Sequence, residues 1–381
     1  YSSRSVGFIN YRPYSITGDS KTTFSGNLDL SVSSDEEMTG FSLIGMSLNL
    51  SSPVADTSKA VLENTGTITI KDNPTVESLT AMQLDEINGA YARDGELINS
   101  GHIIIESSTE FPDGYGGYMG GSAGSTGVLV SAESPAGSVL VKPGNITLKG
   151  AGSNAVEIMG GYNNTNIKID GAGGQIVVEG KNNTALYLNR NFSASGTSAL
   201  ENVSNLNIYL NGDTTSALSY GSDSSNSVDL PIILNDSVIS SLEFGENSTK
   251  SAVVYNGGIS DTELILESSL ANAIGQINSG SSNALIVTNA GSLKNYMPIN
   301  IGSGASAMTG IVSEESATEN YADIINHSSD SIYTTYWSTY DDEGNLIITP
   351  ESYPIGGVGL SASDYDTYYN SYISNHGNIE M

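Results

Sequence analysis

Gly120-Gly121-Ser122-Ala123-Gly124 has the G-x-S-x-G spacing that exposes a nucleophilic serine in hydrolases. That chemistry needs a strand turning sharply into a helix at the serine, and a histidine to take its proton. Here the serine stands in a run of Gly and Ser, and the histidines downstream are His327 and His376 alone, so the motif reads as loop. Glycoside cleavage would need two carboxylates about 5 Å or about 6.5–9.5 Å apart. The densest acid clusters, Asp35-Glu36-Glu37 and Asp341-Asp342-Glu343, sit in turn-like segments without an adjacent Lys, Arg or His to hold an acidic sugar. We read both as solvated loop charge. Asp341-Asp342-Glu343-Gly344-Asn345 lacks the EF-hand spacing and its terminal Glu, so no metal, cofactor or catalytic residue is assigned and no enzyme activity is expected.

Aromatic residues are the stronger signal. Phe111, Tyr115 and Tyr118 lie in a glycine-rich stretch over 111–121, and Tyr333, Tyr336, Trp337 and Tyr340 immediately precede the second acid cluster. Tyr and Trp bury large areas at low entropic cost while keeping a polar tip, which suits protein interfaces and stacking on sugars. These seven are the candidate ligand-binding residues.

Charge narrows the partners. With 13 Lys+Arg against 42 Asp+Glu the net charge is −29, and residues 295–381 carry twelve acids and no Lys or Arg. Nucleic acid is excluded as a partner, because its affinity comes from basic side chains displacing counterions. An anionic membrane surface would repel the chain, and no run approaches the ~18 apolar residues of a membrane helix. There is no Cys, which for a long extracellular chain fits a bacterial surface better than a eukaryotic secretory route. The start, Tyr1-Ser2-Ser3-Arg4, is no signal peptide, and the chain reads as a mature piece of something larger.

The elements that must position the aromatics follow from a repeat. A box of a small residue followed by an apolar one recurs at Gly7-Phe8, Gly40-Phe41, Ala81-Met82, Gly127-Val128, Ala155-Val156 and Ala185-Leu186. It continues at Ala217-Leu218, Ala252-Val253, Ala284-Leu285, Gly310-Ile311 and Gly357-Val358. The period is a little over 30 residues. Between boxes lie alternating runs such as Ile146–Leu148, Ile176–Val178, Leu206–Leu210 and Leu264–Leu266, and Asn-x-Gly-x-apolar turns at Asn64, Asn99 and Asn289. Short half-buried strands repeated at this period without helices describe a parallel β-helix. The expectation is an all-β, right-handed parallel solenoid of about eleven coils, with the apolar box residues as a core ladder. Surplus residues must leave the coil as loops. We expect the β-helix over 1–320 with a loop excursion at 107–126, and a Tyr-rich continuation or last coils over 321–381 with a loop at 328–345. A further surplus before Ala81 leaves Leu79–Tyr91 as a candidate short helix.

Leu62-Glu63-Asn64-Thr65-Gly66-Thr67-Ile68 and Leu97-Ile98-Asn99-Ser100-Gly101-His102-Ile103, with Thr80-Ala81-Met82 and Thr184-Ala185-Leu186 as linking boxes, resemble the passenger regions of classical type V autotransporters, particularly the large fusobacterial outer-membrane adhesins. The likeness is one of repeat style over nearly the whole chain. It implies a bacterial cell-surface or extracellular location, export through a C-terminal outer-membrane β-barrel beyond this segment, and adhesion to a host or microbial surface protein or glycan. A polysaccharide-degrading β-helix and a structural spacer are the alternatives.

Overall fold

The computed structural model describes residues 3–10, 19–31, 41–52, 58–72, 79–84, 91–92, 94–106, 125–132, 137–160, 166–188, 197–220, 230–248, 252–256, 263–274, 283–288, 292–301, 309–314, 317–326, 331–340, 346–355, 358–363 and 372–380. They form an almost entirely β, parallel solenoid in which the sequence period becomes one coil. Coil one is β1 (Ser3–Asn10), β2 (Ser20–Phe24) and β3 (Asn27–Ser31). Coil two is β4 (Phe41–Leu48), β6 (Lys59–Asn64) and β7 (Thr67–Asp72), and coil three is β8 (Leu79–Leu84), β10 (Asp94–Asn99) and β11 (His102–Ile105). Two short strands, β5 (Ser51–Ser52) and β9 (Tyr91–Ala92), pair antiparallel beside these coils. Coils four to six are β12 (Thr126–Ala132), β13 (Val139–Lys142), β14 (Asn145–Leu148); β15 (Asn154–Gly160), β16 (Ile167–Asp170), β17 (Ile176–Val178); and β18 (Thr184–Leu188), β19 (Val203–Ser204), β20 (Leu206–Leu210). Coil seven is β21 (Ser216–Tyr220), β22 (Ile232–Leu234) and β23 (Ile239–Phe244). Coil eight is β24 (Ala252–Asn256), β25 (Glu263–Leu266) and a single helical turn, α1 (Leu270–Ala273). Coil nine is β26 (Asn283–Thr288), β27 (Ser292–Asn295) and β28 (Ile299–Ile301), and coil ten is β29 (Thr309–Glu314), β30 (Ala317–Asn320) and β31 (Ile324–Asn326). A hairpin, β32 (Ser331–Tyr340) and β33 (Leu346–Ile355), intervenes before coil eleven, β34 (Val358–Ser363), β35 (Tyr372–Asn375) and β36 (Ile379–Glu380).

Strands in equivalent positions stack in parallel. The first strands make an eight-stranded sheet, β1-β4-β8-β12-β15-β18-β21-β24, and a three-stranded one, β26-β29-β34. The second and third strands form the six-stranded β19-β16-β13-β10-β6-β2 and seven-stranded β23-β20-β17-β14-β11-β7-β3 sheets, continued by β22-β25-β27-β30-β35 and β28-β31-β36. Each strand is too short to be stable alone, so its backbone bonds are met by the coils on either side. Alternation decides what goes inside. In β6, β10, β14 and β20 every second residue is buried, giving columns such as Ile68–Ile103–Ile146–Ile176–Ile208. Each such side chain contributes about 1.5–3 kcal/mol by leaving water.

The box residues share one register column, whose described side chains from Met46 to Leu218 and at Ile311 lie in the core, with three corrections. The register runs Phe8–Met46–Met82–Val128–Val156–Leu186–Leu218–Val254 and, further on, Leu285–Ile311–Leu360. Gly45-Met46 therefore replaces Gly40-Phe41, Val254 replaces Val253, and Leu360 replaces Val358. In each case a look-alike box lies up to five residues from the one in register, and the strand pairing between coils distinguishes them. The small residue and the apolar one after it both enter the core, as Ala155 with Val156 and Ala185 with Leu186 show. Two successive inward residues break the pleat, which requires a minimal first one. A Cβ on Gly127 would come within 2.6 Å of Ala155 O, and one on Gly45 within 2.7 Å of Ala81 O. Leu79–Leu84, expected to enter a helix, is strand β8, because its position in the ladder overrides the local pattern. The helical turn instead occupies Leu270–Ala273, where Leu270 fills the core.

Candidate functional site

Three features depart from the plain stack. The first is the hairpin between β31 and β34. Residues 328–345 were expected to be loop; 331–340 is instead a ten-residue strand, paired antiparallel at every position from Ser331↔Ile355 to Tyr340↔Leu346. The reason is legible afterwards. Ile332-Tyr333-Thr334-Thr335-Tyr336-Trp337-Ser338-Thr339-Tyr340 is a run of β-branched and aromatic residues with no breaker, the composition of a strand. The acid cluster 341–345, outside the described residues, lies between the two strands in sequence. Tyr333 stands opposite Tyr353, Tyr336 opposite Pro350, and Trp337 opposite Thr349. Strand alternation puts positions 333 and 337 on one face of the ribbon and 336 and 340 on the other. The four aromatics are thus carried on one element. Phe111, Tyr115 and Tyr118, with the rest of 107–124, lie outside the described residues, and the described chain resumes at Ser125.

The second feature is the outward face of the eight-stranded sheet. Elsewhere outward residues are half-exposed, but in β8, β18 and β21 every residue is buried. The outward columns are polar apart from Leu129: Thr80–Thr126–Asn154–Thr184–Ser216 and, beside it, Ser47–Gln83–Leu129–Glu157–Tyr187–Ser219. Glu157 sits at the centre, 3% exposed. Thr126 Oγ1 donates to its Oε2 at 2.7 Å and Asn154 Nδ2 approaches the same oxygen at 3.5 Å, while Oε1 has no hydrogen-bond partner among the described residues. Burial pushes this carboxyl above the usual carboxylate range, more than the two hydrogen bonds lower it. Burial first, then the neighbouring carboxyl, pushes the Tyr187 phenol up to about 12. No sequence pattern marks Glu157, an isolated acid in an ordinary strand.

The third feature is at the turn between second and third strands. Asn64 and Asn99 occupy it in coils two and three, where Asn64 Nδ2 donates to Asn99 Oδ1 at 2.8 Å and Asn99 Nδ2 donates to Pro143 O and Asn145 O. In coils nine to eleven the equivalent residues are Asn295, Asn320 and Asn375, not Asn289, which lies outside the described residues. The following residues, Tyr296, Tyr321 and His376, stack as a ladder: centroids 4.9 Å apart at 7° for the first pair and 4.8 Å at 10° for the second. Tyr321 donates its hydroxyl to Glu319 at 2.9 Å, which, with the negative surroundings, holds its pKa above the ordinary phenol value.

Exposed charges alternate along neighbouring coils, with Lys21–Glu63, Lys59–Glu96, Lys71–Asp29 and Lys294–Glu263 as cross-coil pairs. Such solvent-screened pairs add little to stability. Among the described residues no group of three or more His, Cys, Asp or Glu is placed to hold a metal ion, and no helix is long and apolar enough to cross a membrane. Comparison with protein-family models, curated protein sequences and solved structures found no match to this chain.

Proposed function

We propose that the chain is a non-catalytic recognition segment of a bacterial surface adhesin of the autotransporter passenger type, anchored or released at the outer membrane, and that the β32–β33 hairpin is its contact element. The observation that carries this reading is the hairpin itself: a long antiparallel ribbon, rich in Tyr and Trp, inserted between coils ten and eleven of a parallel stack. A rigid solenoid supplies reach, and an element leaving it supplies contact. The partner is a host or microbial surface protein or glycan. Twelve acids and no Lys or Arg over 295–381 favour a partner with a basic patch, with association that weakens as salt rises.

The test is binding of the purified chain to epithelial cells and to immobilised glycans, comparing wild type with Tyr336→Ala/Trp337→Ala. Loss of binding by the double variant, with β-type circular dichroism and melting unchanged, supports the reading. Equal binding by the two proteins refutes it. A polysaccharide-degrading reading gains support from one residue, Glu157, whose carboxyl burial pushes above the usual carboxylate range, the direction a general acid needs. Turnover of a polysaccharide that disappears in Glu157→Gln would favour that reading instead.

A further inference from the structure

Tyr296 and Tyr321 are the exposed tyrosines among the described side chains, at 42% and 41%. Their ring centroids lie 4.9 Å apart and their planes 7° from parallel. That is an offset stack, for which about 4.5–7 Å is usual. The backbone beneath it is pinned. Each ring follows a buried Asn; Asn295 Nδ2 donates to Asn320 Oδ1 at 2.8 Å, and Tyr321 N donates to Asn295 O at 2.9 Å. The two tyrosines are thereby held about one strand spacing apart, ~4.8 Å, in successive coils. A proton acceptor is already in place, because Tyr321 Oη donates to Glu319 Oε2 at 2.9 Å. Tyr187 and Tyr220, which also stand in successive coils, are 6% and 1% exposed and closed to a reagent in solvent. The chain has no Cys, so a disulfide cannot tie one coil to the next.

We propose that Tyr296 and Tyr321 are an oxidative modification site, joined carbon to carbon as dityrosine by a peroxidase-type one-electron oxidant that uses hydrogen peroxide, so that a covalent staple ties coil nine to coil ten. Each phenol gives up one electron to the oxidant. The hydroxyl proton of Tyr321 passes to the Glu319 carboxylate, which returns it to solvent, and that of Tyr296 passes to water. The two phenoxyl radicals pair through a ring carbon ortho to each oxygen, forming one C–C bond. Each of those carbons then sheds its hydrogen as the ring regains aromaticity and its hydroxyl. Two electrons and two protons leave in all, and they convert one hydrogen peroxide into two waters. Exposed rings have room for the small rotation that brings two ortho carbons together, which a ring packed in the core lacks. The staple closes a loop of one coil and so restricts the unfolded chain as a disulfide would. The proposal is independent of the recognition reading.

The test treats the dilute full chain with a haem peroxidase and hydrogen peroxide, with free tyrosine in a parallel tube as the control for oxidation. The monomer is then cut by a Glu-specific protease, since Glu314 and Glu315 lie between the two tyrosines whereas no Lys or Arg does. The proposal expects a linked pair of peptides, lighter by two hydrogens than their sum, whose fragmentation places the bond between Tyr296 and Tyr321. Glu319→Gln keeps a hydrogen-bond acceptor but takes no proton, and should form the link about tenfold more slowly. Tyr321→Phe should not form it. Absence of the linked peptides while free tyrosine couples would overturn the proposal, as would an equal yield from the chain unfolded in urea, where no stack selects the pair. A Tyr321–His376 adduct in their place would overturn the choice of partner, because His376 covers the other face of Tyr321 at 4.8 Å.

Discussion

Asn295 and Asn320 share a buried hydrogen bond, Nδ2 of the first donating to Oδ1 of the second at 2.8 Å, although 25 residues separate them in sequence. The bond exists because one coil later the chain returns to the same turn with the same residue. Breaking the ladder should therefore cost more inside the stack than at its end.

Asn320→Ala removes the acceptor for Asn295 and the donor to Ala322 O at a buried site. It should destabilise the C-terminal coils by about 2–3 kcal/mol, the cost of leaving buried polar groups unmet. Asn375→Ala, at the exposed end, should cost less than about 1 kcal/mol. Urea midpoints of the two variants, with local exchange rates, check the asymmetry.

Glu157 predicts an inverted pH dependence. Its folded pKa lies above the unfolded value of about 4.3 because burial penalises the charge. The stability it contributes is full below that unfolded value and is lost as pH rises through the folded one. Glu157→Gln keeps the shape and removes the titration. Its melting temperature should gain on wild type as pH rises from about 4 to 8; a constant difference across that range would show that Glu157 is not buried in its neutral form.

Two glycines separate close approach from backbone conformation. A Cβ on Gly101 would lie 2.0 Å from Gly66 O in the neighbouring coil, whereas Gly173, at φ +83°, has nothing within 4 Å of one. Gly173→Ala should cost about 1–2 kcal/mol from the left-handed backbone alone. Gly101→Ala should cost more, because two coils must move apart. Thermal melts of the two variants rank them.

The repeat carried most of the fold into view, since the small-apolar box marks a corner where two successive residues turn inward and only Gly, Ala or a slim substitute fits. It misled where a second box-like triplet lay nearby, at Gly40-Phe41 beside Gly45-Met46, because only the stacked register distinguishes them. The Asn-x-Gly-x-apolar turn was read at Asn64 and Asn99 but missed at Asn375-His376-Gly377-Asn378-Ile379, which fits the pattern, and at Asn295 and Asn320, where Met297 and Ala322 stand in place of the glycine while the amide does the same work. Tyr333, Tyr336, Trp337 and Tyr340 were recognised by composition as an element leaving the coil, yet their strand character was overlooked in favour of the acid cluster beside them. Glu157 carried no sequence signal, because its character comes from burial on a sheet face that in most solenoid strands stays wet.

The most direct test of the recognition reading replaces residues 331–355 by a short Gly/Ser linker joining β31 to β34 and measures binding of the purified chain to epithelial cells. The reading predicts that binding falls at least tenfold while the melting transition and amide protection of coils one to ten remain those of wild type. Undiminished binding by the chain lacking the hairpin would contradict it.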